Sequence, residues 1–387
     1  MNYFSSNFKL GIVGGGQLGK MLLQETRKWD IYTKVLDPSA AAPSRIASNE
    51  FIIGDLMDYQ TVYDFGKGLD VLTIEIEHIN LEALQQLESE GVKVYPKPSS
   101  LEVIVDKAKQ KEFYAAKGLP TSAFHTYSCL DDLIIAVKNE KEHLPFVWKS
   151  AQFGYDGQGV KVVRSLEDLN GLGTDKCIAE ALIPIEKELA VIVARTPQGV
   201  STSYPLVEME FHPDANQVEY VLCPAQIDSS IDKMAREIAI QVAEQLDIVG
   251  LLAVELFLTA SGEILINEVA PRPHNSGHYT IEASVCSQYE QHLRAILDLP
   301  LGSTDSILSA VMVNLVGKEG YTGDVLYQNI EAILKEEGVN PHIYGKRETR
   351  PFRKMGHVTI VDQDLKKARD KAGWVKETIQ VISSTKK

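Results

Sequence analysis

Two apolar runs, residues 250–258 and 263–269, flank Ser261 and Gly262, and this pairing most narrows what the chain can fold into. Such runs around a Ser-Gly turn predict an antiparallel β-hairpin. With Ser261 and Gly262 as a two-residue loop, Ala260 pairs with Glu263, and counting outward sets Glu255 opposite Glu268. Directly paired side chains lie roughly 4.5–5.5 Å apart at Cβ, and like charges there are destabilising. A shared divalent cation is the simplest reason to keep two carboxylates face to face among apolar residues. Hard oxygen donors with phosphate as co-ligand suit magnesium. Glu255, Glu268 and the adjacent Asn267 are therefore the candidate metal ligands; the competing account is a pair of solvated glutamates on an edge hairpin. Beyond the second strand, Pro271 and Pro273 enforce an extended path. Arg272, His274, Asn275, Ser276 and His278 then follow in close order. A polar loop delivered by a rigid strand is where binding and catalysis concentrate.

At 387 residues the chain is long enough for two or three domains with a large core, and 44% apolar with 24% charged residues is an ordinary soluble balance. A net charge of -14 argues against a general binder of nucleic acid or anionic membranes. Residues 1–10 lack the pattern of a secretory signal, and no apolar run approaches the roughly 20 residues of a membrane span. Cys129, Cys177, Cys223 and Cys286 stand at no metal or redox spacing, so reduced cysteines in a cytoplasmic protein are expected.

Up to about residue 98, strand and helix patterns alternate, which predicts a parallel sheet with covering helices. Strands are expected at 9–13, 33–37, 51–53, 71–75 and 92–95, with Asn80 capping a helix. Gly14-Gly-Gly-Gln-Leu-Gly19 lies between the first strand and a helix, with Asp37 eighteen residues further on. That fits a dinucleotide fingerprint, and equally any tight turn that brings backbone amides to a phosphate. Glu75 and Glu77 end the fourth strand, the edge at which open α/β sheets bind ligands; solvated strand ends are the plain alternative.

Residues 96–100 mark a boundary, and 101–117 read as one helix carrying Lys107, Lys109 and Lys111. Two strands, 146–149 and 160–163, enclose Gly154-Tyr-Asp-Gly-Gln-Gly159. Three glycines make a flap whose amides can close over phosphates, and Lys149 on the entering strand supplies a cation. Glu180, a short apolar segment and Glu188 outline a hinge for a nucleotide base and ribose. Strands around His212, an amphipathic helix at 231–246 with Ile231, Met234, Ala235, Ile238 and Val242 on one side, and a helix at 279–297 complete the middle of the chain. Beyond 301 a strand at 309–316 and a helix at 330–337 precede five basic residues between Lys346 and Lys354. Such a patch in an acidic chain suggests a small anionic substrate, most simply a phosphate.

These motifs, with Ala270-Pro-Arg-Pro-His-Asn-Ser-Gly-His278 and Arg353-Lys-Met-Gly-His357 in this order, resemble the ATP-grasp superfamily. Within it the chain is similar, nearly end to end, to the 5-(carboxyamino)imidazole ribonucleotide synthetase family, biotin-free carboxylases of purine biosynthesis. The resemblance implies a Rossmann-like N-terminal domain at 1–103, a two-subdomain ATP-grasp domain at 104–300 with its lid near 150–163, and a small C-terminal domain at 301–387. It implies ATP held by Lys107, Lys149, Gly154, Tyr155, Asp156, Gly157, Gln158, Gly159 and Val160 around the phosphates. Glu180, Ala181, Leu182 and Ile183 would meet the adenine, Glu188 the ribose, and His212 a peripheral position. Asn267 and Glu268 would stand beside the phosphates, with Glu255 and Glu268 carrying one or two magnesium ions. Arg272 would orient bicarbonate. Gln17, Glu77, Tyr155, Asp156, His274, Asn275 and Ser276 would surround aminoimidazole ribonucleotide, with Lys346 and Arg353 on its phosphate. Asp156, Arg272 and Lys346 are the candidate catalytic residues. A homodimer is also implied.

Other readings give other expectations. A formate-using glycinamide ribonucleotide transformylase or a biotin carboxylase subunit would share the ATP site, but the Asn275-Ser276-Gly277-His278 loop and short C-terminal segment speak against both. An NAD-dependent oxidoreductase would leave the hairpin and glycine flap unexplained. A zinc site on His274 and His278 needs a helix that Pro273 and Gly277 oppose. A non-catalytic ATP-binding module remains open on these residues.

Overall fold

The computed structural model describes residues 2–152, 159–212, 215 and 217–383. The first domain is a five-stranded parallel sheet of β1 (Lys9–Val13), β2 (Tyr32–Asp37), β3 (Glu50–Ile53), β4 (Val71–Ile74) and β5 (Lys93–Tyr95). Its order is β3-β2-β1-β4-β5. Strands covered by helices on both faces are buried on both and read as nearly continuous apolar runs; β4 is buried at every residue. Asn80 caps the helix Leu81–Ser89, as expected, by accepting the amide of Ala83.

The middle of the chain supplies two sheets. Strands β6 (Phe124–Tyr127), β7 (Phe146–Ser150), β8 (Val160–Val163) and β9 (Cys177–Ala181) form an antiparallel sheet in the order β6-β9-β7-β8. Then come β10 (Ile185–Arg195), β11 (Ser201–Ser203), β12 (Val207–Phe211), β13 (Val218–Cys223), β14 (Gly250–Thr259) and β15 (Ile264–Ala270). The later strands are β16 (Ser309–Val316), β17 (Gly323–Gln328), β18 (Val339–Ile343), β19 (Glu348–Thr349), β20 (Lys354–Asp362) and β21 (Gln380–Ser383). A nine-stranded sheet runs β15-β14-β10-β12-β13-β16-β20-β18, with β11 beside β10. Of the strands after residue 301, β16, β20 and β18 extend the central sheet through the β13–β16 pair. β17, β19 and β21 make a small sheet of their own.

Three expected helices are shorter than their patterns. The run 101–117 is two helices, Pro98–Ile104 and Lys107–Ala116, because the Asp106 carboxylate accepts the amides of Ala108 at 2.9 Å and Lys109 at 3.0 Å and starts a new helix. The run 279–297 breaks into Thr280–Ala283 and Gln288–Ile296, where the Ser287 hydroxyl caps the second by accepting the Glu290 amide at 3.1 Å. The run 330–337 keeps helix only over Ile330–Ile333, where Ile333 alone is buried. In the helix Ser229–Gln245, Ala235, Ile238 and Val242 are buried as expected, while Met234 is 47% exposed.

His292 joins the first two domains. Its Nε2 is 2.8 Å from the Thr73 hydroxyl on β4, and its Nδ1 accepts the Leu251 amide on β14 at 3.3 Å. Burial holds this ring down at about 3. The unfolded chain takes up a proton below about 6.5 and the folded chain does not. The stabilisation is therefore complete above that pH and is lost as pH falls towards 3. One unmatched proton is worth roughly 1.4 kcal/mol per pH unit. The loss of unfolding free energy from pH 6.5 to 5.0 should be about 2 kcal/mol smaller in His292→Gln than in the parent, by denaturant melts at both pH values.

Candidate active site

A cleft of about 860 Å³ is lined by all three parts of the chain. Gln17 and Glu77 come from the first domain, Lys107, Glu255, Glu268, Arg272, His274 and Asn275 from the centre, and Tyr344, Lys346 and Lys354 from the end.

The paired carboxylates are built by the β14–β15 hairpin, and Glu255 stands opposite Glu268. The expected register holds for a different reason from the one that predicted it. Thr259 pairs with Glu263, and the loop is Ala260, Ser261 and Gly262, with Gly262 in the left-handed region at φ +83. A three-residue loop alone would shift the pairing by one. An irregularity opposite Glu255 and Leu256 inserts Asn267 and restores it. Bulges re-aim side chains, and here Asn267 comes to face Glu255, its Nδ2 being 3.5 Å from Oε2.

Charge around the pair is unevenly shared. Burial and the neighbouring Glu268 push Glu255 well above the usual carboxylate range. Against burial, Lys107 and Lys149 hold Glu268 below it. Lys107, at the first turn of its helix, ion-pairs with Glu268. Lys149 on β7 donates to Asn267 Oδ1 at 2.9 Å and lies 3.1 Å from Glu180 Oε1. Glu180 is 3% exposed and also meets Lys111 at 3.2 Å and the Ser122 hydroxyl at 3.0 Å. Against its burial, Lys149 and Lys111 keep Glu180 below the usual carboxylate range. Glu188 on β10 is pushed up to about 7 by burial, against the pull of Lys149. The three lysines of the helix are now distinguishable: Lys107 faces the carboxylate pair, Lys111 is buried on Glu180, and Lys109 pairs with exposed Glu102.

The proline loop is held on both sides. Arg272 Nε lies 2.7 Å from Glu77 Oε1, tying loop to first domain. His274 places Nδ1 2.9 Å from the Ser276 hydroxyl and Nε2 3.5 Å from Glu255 Oε1. Gln288 accepts the His274 amide at 2.9 Å and donates to its carbonyl at 2.9 Å. Lys346 lines the cleft and donates to the Lys354 carbonyl at 2.8 Å.

Some expected residues lie elsewhere. Arg353 donates to the Glu348 carbonyl and is absent from the cleft lining, where Lys354, its neighbour on β20, stands instead. Arg353 precedes β20 and Lys354 opens it, and a cluster of basic residues does not by itself say which of them faces the cleft. His212 stacks edge-on against Phe352 at 6.0 Å and lines a separate cavity of about 260 Å³. Ala181, Leu182 and Ile183 lead from β9 into β10, and the Ala181 amide already donates to Ala123 at 2.8 Å. Gly159 and Val160 open β8, with the Gly159 carbonyl accepting the Ser150 amide at 2.9 Å. Gly154, Tyr155, Asp156, Gly157 and Gln158 lie outside the described residues.

The dinucleotide alternative fails on geometry. The amides of Gly16 and Gly19 donate to the Glu75 carboxylate at 2.8 and 3.1 Å, and that of Gly15 to Asp37 at 2.7 Å. A helix N-terminus seats one anion, and here the chain's own Glu75 takes the seat. A Cβ on Gly16 would lie 2.7 Å from Glu75 Oε1, so the glycine serves close approach to a carboxylate, not to a pyrophosphate.

Comparison with known proteins agrees with this layout. Residues 8–105 match the ribonucleotide synthetase preATP-grasp domain, 112–289 the ATP-grasp domain, and 310–371 the phosphoribosylaminoimidazole carboxylase C-terminal domain. The N5-carboxyaminoimidazole ribonucleotide synthase of Synechococcus elongatus is 36% identical over 361 residues, 91% of this chain and 89% of that one. The chain belongs to the N5-carboxyaminoimidazole ribonucleotide synthase family. A chloroplastic phosphoribosylaminoimidazole carboxylase of Vigna aconitifolia is 39% identical over 92% of this chain, which spans 64% of that protein. The synthetase structure from Thermotoga maritima superposes with a TM-score of 0.89 at 44% identity, covering 97% of this chain and 100% of that one. An Aspergillus clavatus synthase in complex with ADP and 5-aminoimidazole ribonucleotide gives 0.86 at 31% identity, covering 96% and 98%.

Magnesium, which the ATP-grasp resemblance implies, is compatible with the residues present. The paired carboxylates of Glu255 and Glu268 are hard oxygen donors that do not both ionise readily in each other's company, and Asn267 stands beside them with its Nδ2 toward Glu255 and its Oδ1 accepting from Lys149. Among the described residues no group of three or more His, Cys, Asp or Glu side chains is placed to hold a metal ion. Nor is any described helix long and apolar enough to cross a membrane.

Proposed function

We propose that this chain carboxylates 5-aminoimidazole ribonucleotide with bicarbonate at the expense of ATP, giving N5-carboxyaminoimidazole ribonucleotide, ADP and phosphate in purine biosynthesis. The observation that carries the reading is the single cleft in which the paired carboxylates of β14 and β15, the polar proline loop and the basic C-terminal residues face one another.

In this reading a bicarbonate oxygen attacks the γ-phosphorus, ADP leaves, and carboxyphosphate forms. The ribonucleotide amine then takes the carboxyl group, directly or after carbon dioxide is released within the site, and phosphate leaves. Glu255, Glu268 and Asn267 would hold magnesium, which neutralises phosphate charge when bound. Lys107 and Lys149 hold phosphates, and their positive charge favours the transferring group over the ground state. Arg272, kept in place by Glu77, orients bicarbonate. The turn of β9 into β10 receives the adenine and Glu188 the ribose. Asn275, Ser276 and His274 hold the ribonucleotide, Lys346 its phosphate, and Asp156 is the candidate proton acceptor. The lid segment between β7 and β8 excludes water that would hydrolyse carboxyphosphate. The reading extends to a homodimer in the cytoplasm, for which sedimentation velocity is the check of assembly.

The test is ADP release with magnesium, ATP and bicarbonate, with and without aminoimidazole ribonucleotide. Strong stimulation together with bicarbonate incorporation is expected. Stimulation by glycinamide ribonucleotide with formate instead would leave the ATP site standing and overturn the acceptor assignment.

A further inference from the structure

Three neighbouring strands of the C-terminal half of the sheet present one residue each in a single row. Asn314 on β16 pairs with His357 on β20, and His357 pairs with His342 on β18. Directly paired residues share a face, and this face meets residues 275–282. Asn314 and Asn275 exchange two side-chain hydrogen bonds, each 2.9 Å. The His357 ring lies between those of His278 and His342, with centroids 4.5 Å away on both sides and interplanar angles of 26° and 12°. His342 Nε2 is 2.6 Å from Glu282 Oε1. Each member of the row therefore holds a different residue of the same segment, and each contact is polar or flat in a way that fixes orientation as well as distance.

Asn314 and His357 are buried, His357 at 0% exposed, His342 is partly buried, and none of the three lines the cleft. His357 Nδ1 stands 3.2 Å from the hydroxyl of Tyr344, and its Nε2 has no hydrogen-bond partner among the described residues. What the row touches does reach the cleft: Asn275, His278 and Tyr344 line it. Burial holds His357 and His278 well below the ordinary histidine range, so both rings are neutral and their stacking carries no mutual repulsion.

We propose that Asn314, His357 and His342 form a positioning element for the acceptor side of the cleft, with His357 as its central positioning residue. It fixes the Asn275–Ser276 corner and His278 by contacts from behind, and so sets where the ribonucleotide is held while leaving the ATP side alone. The inference rests on the ribonucleotide reading above. It assigns a task to the histidine of the Lys354-Met355-Gly356-His357 motif and to Asn314, neither of which contacts the reacting groups.

The test is steady-state kinetics of the full chain with ATP and aminoimidazole ribonucleotide each varied. His357→Leu removes the flat ring, His357→Phe keeps a ring, and Asn314→Ala removes the amide pair on a different strand. His357→Leu and Asn314→Ala should each raise the KM for the ribonucleotide about tenfold or more, with the KM for ATP within about twofold of the parent. His357→Phe should recover most of the loss. Parallel rises in both KM values, equal losses in the Phe and Leu variants, or no change in Asn314→Ala would overturn the proposal. If His357→Leu fails to fold, His357→Phe and Asn314→Ala still decide it: a ribonucleotide-selective loss in Asn314→Ala with near-parental His357→Phe supports it, and any other pattern refutes it. Parent turnover that ignores the ribonucleotide would instead overturn the functional reading, and so is distinguished from failure of the positioning element.

Discussion

Glu268→Gln is expected to lower ATP-dependent turnover by about a thousandfold or more, the scale seen when a preorganised charge at a transferring group is removed. The substitution keeps shape and one acceptor oxygen. It removes the charge that Lys107 pairs with and that stands opposite Glu255. Two consequences follow together. The site loses one of its two carboxylates for magnesium, and Lys107, whose charge Glu268 sustains against burial, loses its partner. Magnesium titrations of the residual activity should show a weakened requirement for the ion along with the fall in rate. An unaltered magnesium dependence would remove the carboxylate pair from the metal assignment. Glu255→Gln offers the contrast. Glu255 carries the proton more readily, so its neutral form resembles what the amide provides, and its variant should be the more stable of the two in thermal melts.

How much of this site could be read from the chain depends on how local each contact is. The five-stranded parallel sheet was legible because strand and helix patterns alternate at short range, each with its own period. The opposition of Glu255 and Glu268 was legible too, though through two departures that cancel: a three-residue turn and an inserted Asn267. Had Asn267 not bulged, the same counting would have turned Glu268 to the other face. Local caps explain the broken helices: Asp106 and Ser287 each start a new helix inside a stretch that reads as one. Long-range pairings were not readable at all. Glu180 read as one edge of a hinge for a nucleotide base, and only the fold brings Lys111 and Lys149 to it. Asn314 sits in a stretch without any motif, and its partnership with Asn275 arises where one sheet spans two sequence domains. The glycine run misled in an instructive way, since its amides do bind an anion, but the anion is Glu75.

Lys149→Met is the second substitution with a large expected effect, and it separates holding ATP from holding the fold. Lys149 reaches both Asn267 at 2.9 Å and Glu180 at 3.1 Å while being 8% exposed. Removing one member of a buried ion pair leaves an uncompensated charge, at a cost of about 3–5 kcal/mol when nothing else holds it. Lys111 and Ser122 still hold Glu180, so the expected loss lies at the lower end, about 3 kcal/mol, read as a drop in Tm. Activity should fall further than stability alone explains, by a factor of about a hundred to a thousand in kcat/KM for ATP, because a cation aimed at the phosphates is gone. The double variant Lys149→Met with Glu180→Gln resolves the two effects. It removes the stranded carboxylate, and Lys111, already lowered to about 8 by burial, can shed its proton in response. Tm should recover most of its loss while kcat/KM for ATP stays at the level of the single variant. Recovery of activity along with Tm would mean that Lys149 serves only to neutralise Glu180, and the phosphate contact would have to be assigned to Lys107 alone.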